Sequence, residues 1–164
     1  MLKRTLITAL ALLATATGSA QAQPGPASVQ ADTPQVATVR QMWNVFLAGR
    51  RTEVPDLFLT PNAVIRVQGA PHVPFVGTFT NRAQHRKFFE LGGAKAEKFV
   101  INKILGSGED VISLGEFDFR VTSTGRHYKG RWALHHKVVG NKITYWEIFE
   151  DAWSVGLAFD KPRG

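Results

Sequence analysis

Asp151, Glu147 and His136 are the residues of this chain whose types and spacing suit proton transfer. They fall between Gly125 and Trp153, a stretch that reads as two strands joined by a tight turn at Gly140-Asn141. Pairing Val139 with Lys142 and counting outward sets Val138 against Ile143, His136 against Tyr145 and Leu134 against Glu147. The same count sets Trp132 against Phe149, Gly130 against Asp151 and Tyr128 against Trp153. Side chains alternate along a strand, so all of these share one face. That face is apolar and aromatic apart from the two carboxylates and the imidazole. An ionised carboxylate is costly in such surroundings, so its pKa rises and it becomes a general acid or base near neutral pH. Asp151 leads, because Gly130 opposite leaves room beside it. Glu147 and His136 would tune it, and Tyr128 or Tyr145 would donate to a developing oxyanion. The competing assignments are structural: Asp151 capping a loop or pairing with a lysine, Glu147 pairing with an arginine, His136 a satisfied core histidine. His135, Trp146, Ile148 and Glu150 point to the opposite face, with Glu150 against Arg131. A β-bulge in the hairpin would displace this assignment by one residue.

A pocket for such chemistry needs walls. Trp43, Phe117, Trp132, Tyr128, Tyr145 and Phe149 supply them, and His72 lies on an irregular stretch, 69–80, that would sit over the opening. The elements that must position these residues begin with a helix capped by Thr33 and opened by Pro34. Val36, Val39, Met42, Trp43, Phe46 and Leu47 form its apolar stripe, and Gly49 ends it. A turn or short helix at Pro55-Asp56-Leu57-Phe58 follows, then a strand over 63–68 and a helix from the Asn81 cap to Leu91, stopped by Gly92-Gly93. Strands over 98–105 and 110–122 precede the hairpin. Pairing Ser123 with Arg126 puts Phe117 beside Trp132 on the apolar face and Asp118 beside Arg131 outside, so both hairpins agree on which face is apolar. Helices that precede one antiparallel sheet predict an α+β fold, a curved antiparallel sheet with helices packed on its concave face. Trp132, Phe149 and Phe117 are expected to be buried together. Trp146 and Ile148, outside amid Glu150, Arg131 and Lys137, predict a homodimer through the outer face.

The chain opens with Lys3 and Arg4, an apolar run from Leu6 to Ala16 and an A-x-A site at Ala20-Gln21-Ala22. The run is short of the ~20 residues of a membrane span and reads as a secretory signal peptide over 1–22. A disordered leader over 23–32 and one domain over 33–160 complete the expected organisation, with no span left after cleavage. This implies export, to a periplasm or to the outside. There is no cysteine, so packing alone must stabilise the fold. The net charge of +7 is spread along the chain rather than clustered, which argues against nucleic-acid binding. No spacing of a metal site, phosphate loop or nucleophile elbow occurs, and no metal or cofactor is expected.

The helix ending in FLAGR, the stretch PFVGTFTNRAQHRKFFE, the strand TSTGRHYKGRWALHH and the end NKITYWEIFEDAW resemble the SnoaL-like polyketide cyclases. That family lies in the nuclear transport factor two-like superfamily, with ketosteroid isomerases and limonene epoxide hydrolases. The resemblance spans about Gln35 to Phe159 and implies a cystatin-like roll, an apolar small-molecule ligand and a homodimer. It implies an aspartate at the place of Asp151. Met42, Val67 and Ala133-Leu134 stand where ketosteroid isomerases hold their tyrosine and two aspartates, so isomerase chemistry of that design is not implied. Two readings follow: a cofactor-free acid-base enzyme on an apolar cyclic or polyketide-like substrate, or a non-catalytic ligand-binding or protein-interaction module of the same fold.

Overall fold

The computed structural model describes residues 32–160. The expected signal peptide, and the leader up to Ala31, lie outside the described residues. Helix α1, Pro34–Leu47, starts where Thr33 Oγ1 accepts the Val36 amide at 3.3 Å. A 3-10 turn, Arg51–Glu53, leads into the short helix α2, Val54–Phe58. Strand β1 (Leu59–Val67) leads into the stretch expected to be irregular, whose end forms the short strand β2 (Gly77–Phe79). Helix α3, Arg82–Glu90, follows with Asn81 as its cap. Strands β3 (Ala94–Ser107), β4 (Asp110–Val121), β5 (His127–Val139) and β6 (Lys142–Phe149) make the meander, and helix α4, Ala152–Phe159, closes the chain.

The six strands form one curled, open sheet in the order β2-β1-β6-β5-β4-β3. All neighbouring pairs are antiparallel except β1 with β6, which are parallel, so the expected all-antiparallel sheet is corrected at that one seam. A strand placed before α3 and the meander returns beside the last strand in the same direction, which a hairpin cannot do.

Helices α1 and α3 are fastened to the sheet by buried polar contacts as well as by packing. Trp43 Nε1 of α1 donates to Ser113 Oγ of β4 at 2.9 Å, and His85 Nε2 of α3 lies 2.7 Å from the Ala63 carbonyl of β1. Arg82 donates to the Pro55 and Leu59 carbonyls and so ties α3 to both ends of α2. The apolar stripe of α1 reads out as expected, with Val36, Val39, Met42 and Trp43 buried.

The hairpin register departs from the count made on the sequence. Val139 pairs with Lys142 and Val138 with Ile143, but Lys137 then pairs with Tyr145 and His136 with Trp146. Thr144 is the extra residue, and its hydroxyl donates to the Lys137 carbonyl at 3.3 Å. This β-bulge exchanges the faces of everything beyond it on β6. Trp146 and Ile148 turn inward beside His136 and Leu134. Tyr145, Glu147 and Phe149 turn outward beside Lys137, His135 and Ala133. Trp132 and Phe117 are buried, whereas Phe149 is 49% exposed on the opposite face. The expected burial of Phe149 with Trp132 is therefore corrected, and with it the outward placing of Trp146 and Ile148.

The β4–β5 register is displaced by two residues, with Phe117 opposite Gly130 and Gly115 opposite Trp132. The loop is longer than a two-residue turn, since the Val121 amide donates to the Arg126 carbonyl at 2.8 Å. A shift of two preserves the faces, so Phe117, Phe119, Tyr128 and Trp132 all remain inside. Lys129 rather than Arg131 stands opposite Asp118.

Candidate active site: an aromatic cavity with one carboxylate

Between α1, α3 and the inner face of the sheet lies a cavity of about 190 Å³. Its walls include Trp43, Phe99, Phe117, Tyr128, Trp132 and Trp146, three of the four tryptophans among them. The rings are braced against one another: Phe99 stacks on Trp132 at 5.2 Å between centroids, and Trp43 lies 5.4 Å from Trp132. Among the described residues that line the cavity, Glu150 is the one carboxylate and Arg51 the one full cation.

Glu150 is brought inside by the bulge. It follows β6, and with the parity of that strand reversed it joins Ile148 and Trp146 on the inner side, away from Arg131, which pairs across to Glu116. Burial, reinforced by the charge of Asp151 next door, pushes its pKa up to about 7 from an ordinary value of 4.5. Tyr128 on β5 lines the same cavity, and burial together with the Glu150 charge raises the pKa of its phenol, so it stays a protonated donor at neutral pH. An acid that exchanges its proton near neutrality and a hydroxyl donor thus line one largely apolar cavity. That pairing suits general acid-base catalysis with a hydrogen bond available to a developing oxyanion.

The residues singled out on the sequence divide between two faces. Trp43, Phe117, Tyr128 and Trp132 line the cavity. Glu147, Tyr145 and Phe149 lie on the outer face. Glu147 Oε2 accepts from the Tyr145 hydroxyl at 2.6 Å and Oε1 from Gln68 Nε2 at 3.0 Å, with Arg66 at 3.8 Å. The Tyr145 hydrogen bond is the main cause of its lowered pKa, so Glu147 is held as a carboxylate. Its immediate neighbours cover it to 8% exposure, yet little protein lies beyond them, and its environment stays close to that of solvent.

Asp151 is the N-cap of α4 and accepts the Ser154 amide at 3.1 Å, at the surface. Helix α4 stands where strand continuing the hairpin is expected. The cap pattern of Asp151 ahead of Ala152, Trp153 and Ser154 was the available signal. His72 is also outside the cavity, 3.1 Å from both the Gly156 carbonyl and Asp160 Oδ1.

His136 points inward but lies beneath the aromatic wall rather than in the cavity. It is wholly buried, edge-on to Trp146 at 5.0 Å and to Trp43 at 6.3 Å. Neither ring nitrogen completes a hydrogen bond, although the Val111 backbone is close enough to favour the protonated ring slightly. Burial pushes its pKa down to about 3 from 6.5, so the ring is neutral at working pH. The folded value lies below the unfolded one, so stability is complete above about 6.5 and drains away as the pH falls toward 3. His136→Leu keeps an apolar side chain of similar bulk and removes that proton uptake. Between pH 7 and 4, by roughly the span of this titration, the parent is expected to lose several kcal/mol more stability than the variant, as read by urea midpoints. Equal losses would dismiss the buried neutral imidazole.

No group of His, Cys, Asp and Glu suited to a metal ion occurs among the described residues. None of the described helices is long and apolar enough to cross a membrane.

The curled sheet with helices over its concave face is a nuclear transport factor two-like fold. A nuclear transport factor two-like protein of Burkholderia xenovorans matches it at a TM-score of 0.69 and 18% identity, over 77% of this chain and 96% of that one. A candidate SnoaL-like polyketide cyclase from Jannaschia matches at 0.64 and 14% identity, over 85% and 100%. A candidate isomerase from Rhodopseudomonas palustris matches at 0.59 and 13%, over 78% and 96%. Within that fold the chain belongs to the SnoaL-like domain family, which matches residues 39–146. No curated protein matches the chain.

Proposed function

We propose that this protein takes a small apolar ring compound into its aromatic cavity and that Glu150 moves a proton to or from it without a cofactor. The observation that carries the reading is Glu150 itself, a carboxyl held near a pKa of 7 among aromatic walls beside the Tyr128 phenol. An engineered cavity of about 150 Å³ takes one benzene ring, so about 190 Å³ suits one or two rings. The neighbours named as a cyclase and an isomerase share the fold and are consistent with proton-transfer chemistry. The acid-base role that the sequence suggests for Asp151 and Glu147 falls to Glu150, because neither of those lines the cavity.

The test is exchange of the α-hydrogens of β-tetralone in heavy water, followed by proton magnetic resonance. Glu150 as carboxylate removes an α-proton to give the enolate, and returns a deuteron after equilibrating with solvent. Exchange above the buffer rate is expected with the parent, with Glu147→Gln and with Asp151→Asn, and is lost with Glu150→Gln. Exchange that survives Glu150→Gln, or fails in all four proteins, removes the acid-base reading. Binding without exchange in the parent leaves a ligand-binding module.

Export is part of this proposal and rests on the basic start, apolar run and A-x-A site of residues 1–22. Mature protein beginning at Gln23 is the expected N-terminal sequence after expression with the segment intact, and uncleaved protein in the cytoplasm would contradict it.

We also propose that the outer sheet face pairs with a second copy. Leu114, Ala133 and Phe149 form one row across β4, β5 and β6, and Phe149 is half exposed. The acids of β4 (Asp110, Glu116, Asp118) lie beside the bases of β5 (Lys137, Arg131, Lys129), a self-complementary pattern for a two-fold stack. Sedimentation is expected to show a dimer that Phe149→Glu converts to monomer. A monomeric parent at high micromolar concentration would end this proposal.

A further inference from the structure

Arg51 is the one full cation of the cavity, and nothing among the described residues neutralises it. The two acids that follow it in sequence, Glu53 and Asp56, are taken by other arginines. Arg50, its neighbour, takes Glu53 in a two-pronged pair at 2.8 and 2.5 Å, and Arg82 and Arg86 both lie against Asp56. The backbone carbonyl of Arg51 accepts the Val54 amide, whereas its guanidinium makes no hydrogen bond or ion pair with any described residue. It does not serve Glu150 either. An arginine beside that carboxyl would lower its pKa, whereas Glu150 is raised, by burial and by Asp151. One cavity therefore holds, among its lining residues, an exposed guanidinium paired only with solvent and a carboxyl that prefers its proton. Neither group meets the other's need.

We infer that the ligand of this cavity is an anionic ring compound, one or two rings carrying a carboxylate or a comparably delocalised oxyanion that Arg51 binds. This deepens the proposed function and rests on the cavity being a ligand site. The planar guanidinium presents parallel N–H donors at the spacing of a carboxylate's oxygens, which an ammonium does not. The rings of the ligand then stack within Trp43, Phe99 and Trp132, and Glu150 meets the end that carries no charge. Arg51 is exposed to solvent where it lines the cavity, so its contribution lies at the low end for a charge-assisted hydrogen bond.

The experiment uses two probes of one shape, β-naphthoate and its neutral amide, β-naphthamide. Affinities are read by calorimetry on the whole protein at about pH 6, where Glu150 is mostly protonated. Naphthoate is expected to bind about tenfold more tightly than naphthamide. Arg51→Gln is expected to erase that preference, and Arg51→Lys to retain part of it. Equal affinities in the parent, or a preference that persists in Arg51→Gln, overturn the inference while leaving the cavity as a ligand site. If neither probe binds, the ligand-site reading and this inference fall together.

Discussion

Glu150→Gln is expected to yield a protein that is more stable than its parent at neutral pH and inactive in proton exchange. Glutamine keeps the shape of the side chain but has no titratable proton, so α-hydrogen exchange should fall by about 10²–10⁴-fold. The stability effect has the opposite sign. In the parent the folded value of Glu150, about 7, lies above the unfolded value of 4.5, so the unfolded chain gives up this proton first as the pH rises. The parent's full stability is therefore present below about pH 4.5 and is lost as the pH climbs through about 7, by at most about 3 kcal/mol. The groups facing Glu150 are Asp151 beside it, Tyr128 from β5 and Arg51 across the cavity; Asp151 reinforces the shift and Tyr128 stays neutral. The variant should unfold several degrees higher than the parent at about pH 8, and the difference should close by about pH 4. A variant that is less stable than the parent at the higher pH would mean Glu150 is ionised and paired, against its raised pKa. Residues kept at the expense of stability are those a site needs.

Gly115→Ala should be the most damaging single methyl in the sheet. Gly115 sits on the inner face between Ile101 of β3 and Trp132 of β5. A Cβ there would overlap both the Val100 carbonyl oxygen and the indole of Trp132. The carbonyl belongs to the β3 backbone and cannot swing away without breaking the ladder, and Trp132 is a wall of the cavity. A loss above about 3 kcal/mol is expected from urea midpoints, together with loss of probe binding. Gly130 on the same face is the internal control: a Cβ there meets only Phe117, at 3.9 Å, an ordinary contact. Gly130→Ala should change stability by less than about 1 kcal/mol. Comparable losses at the two glycines would show that the close approach of β3, β4 and Trp132 is wrong.

The position of the cavity carboxylate was almost legible in the sequence. The hairpin turn, the two strands and the apolar face of β5 were all readable, because Gly140-Asn141 and a clean alternation of apolar residues declare them. The run from Ile143 to Ile148 also held the warning. Ile143 on odd parity followed by Trp146 and Ile148 on even parity cannot lie on one face of an unbroken strand. Reading the even residues as a second, outer surface was as consistent with the sequence as reading a bulge at Thr144. Only the cost of exposing Trp146 in the folded protein separates them, and Trp146 is 2% exposed. One extra residue thus exchanged Glu147 for Glu150.

Helix α4 and the parallel seam between β1 and β6 were less visible, for different physical reasons. The α4 segment is short and largely apolar, and short apolar runs do not distinguish strand from helix by periodicity. The seam joins residues some eighty positions apart, such as Ile65 and Trp146, and no local pattern specifies a partner so distant.

The sequence by itself determined the α+β class, the helix boundaries at Thr33, Gly49 and Asn81, the aromatic interior and the family, since caps, turns and period are properties of neighbouring residues. Tertiary structure alone decided which acid faces the cavity, that Arg51 lines it with no partner among the described residues, and that Asp151 is a cap. Those facts depend on a bulge, on which acids other arginines had already taken, and on how closely helices approach a curled sheet. Each is settled by competition among contacts that local sequence does not rank.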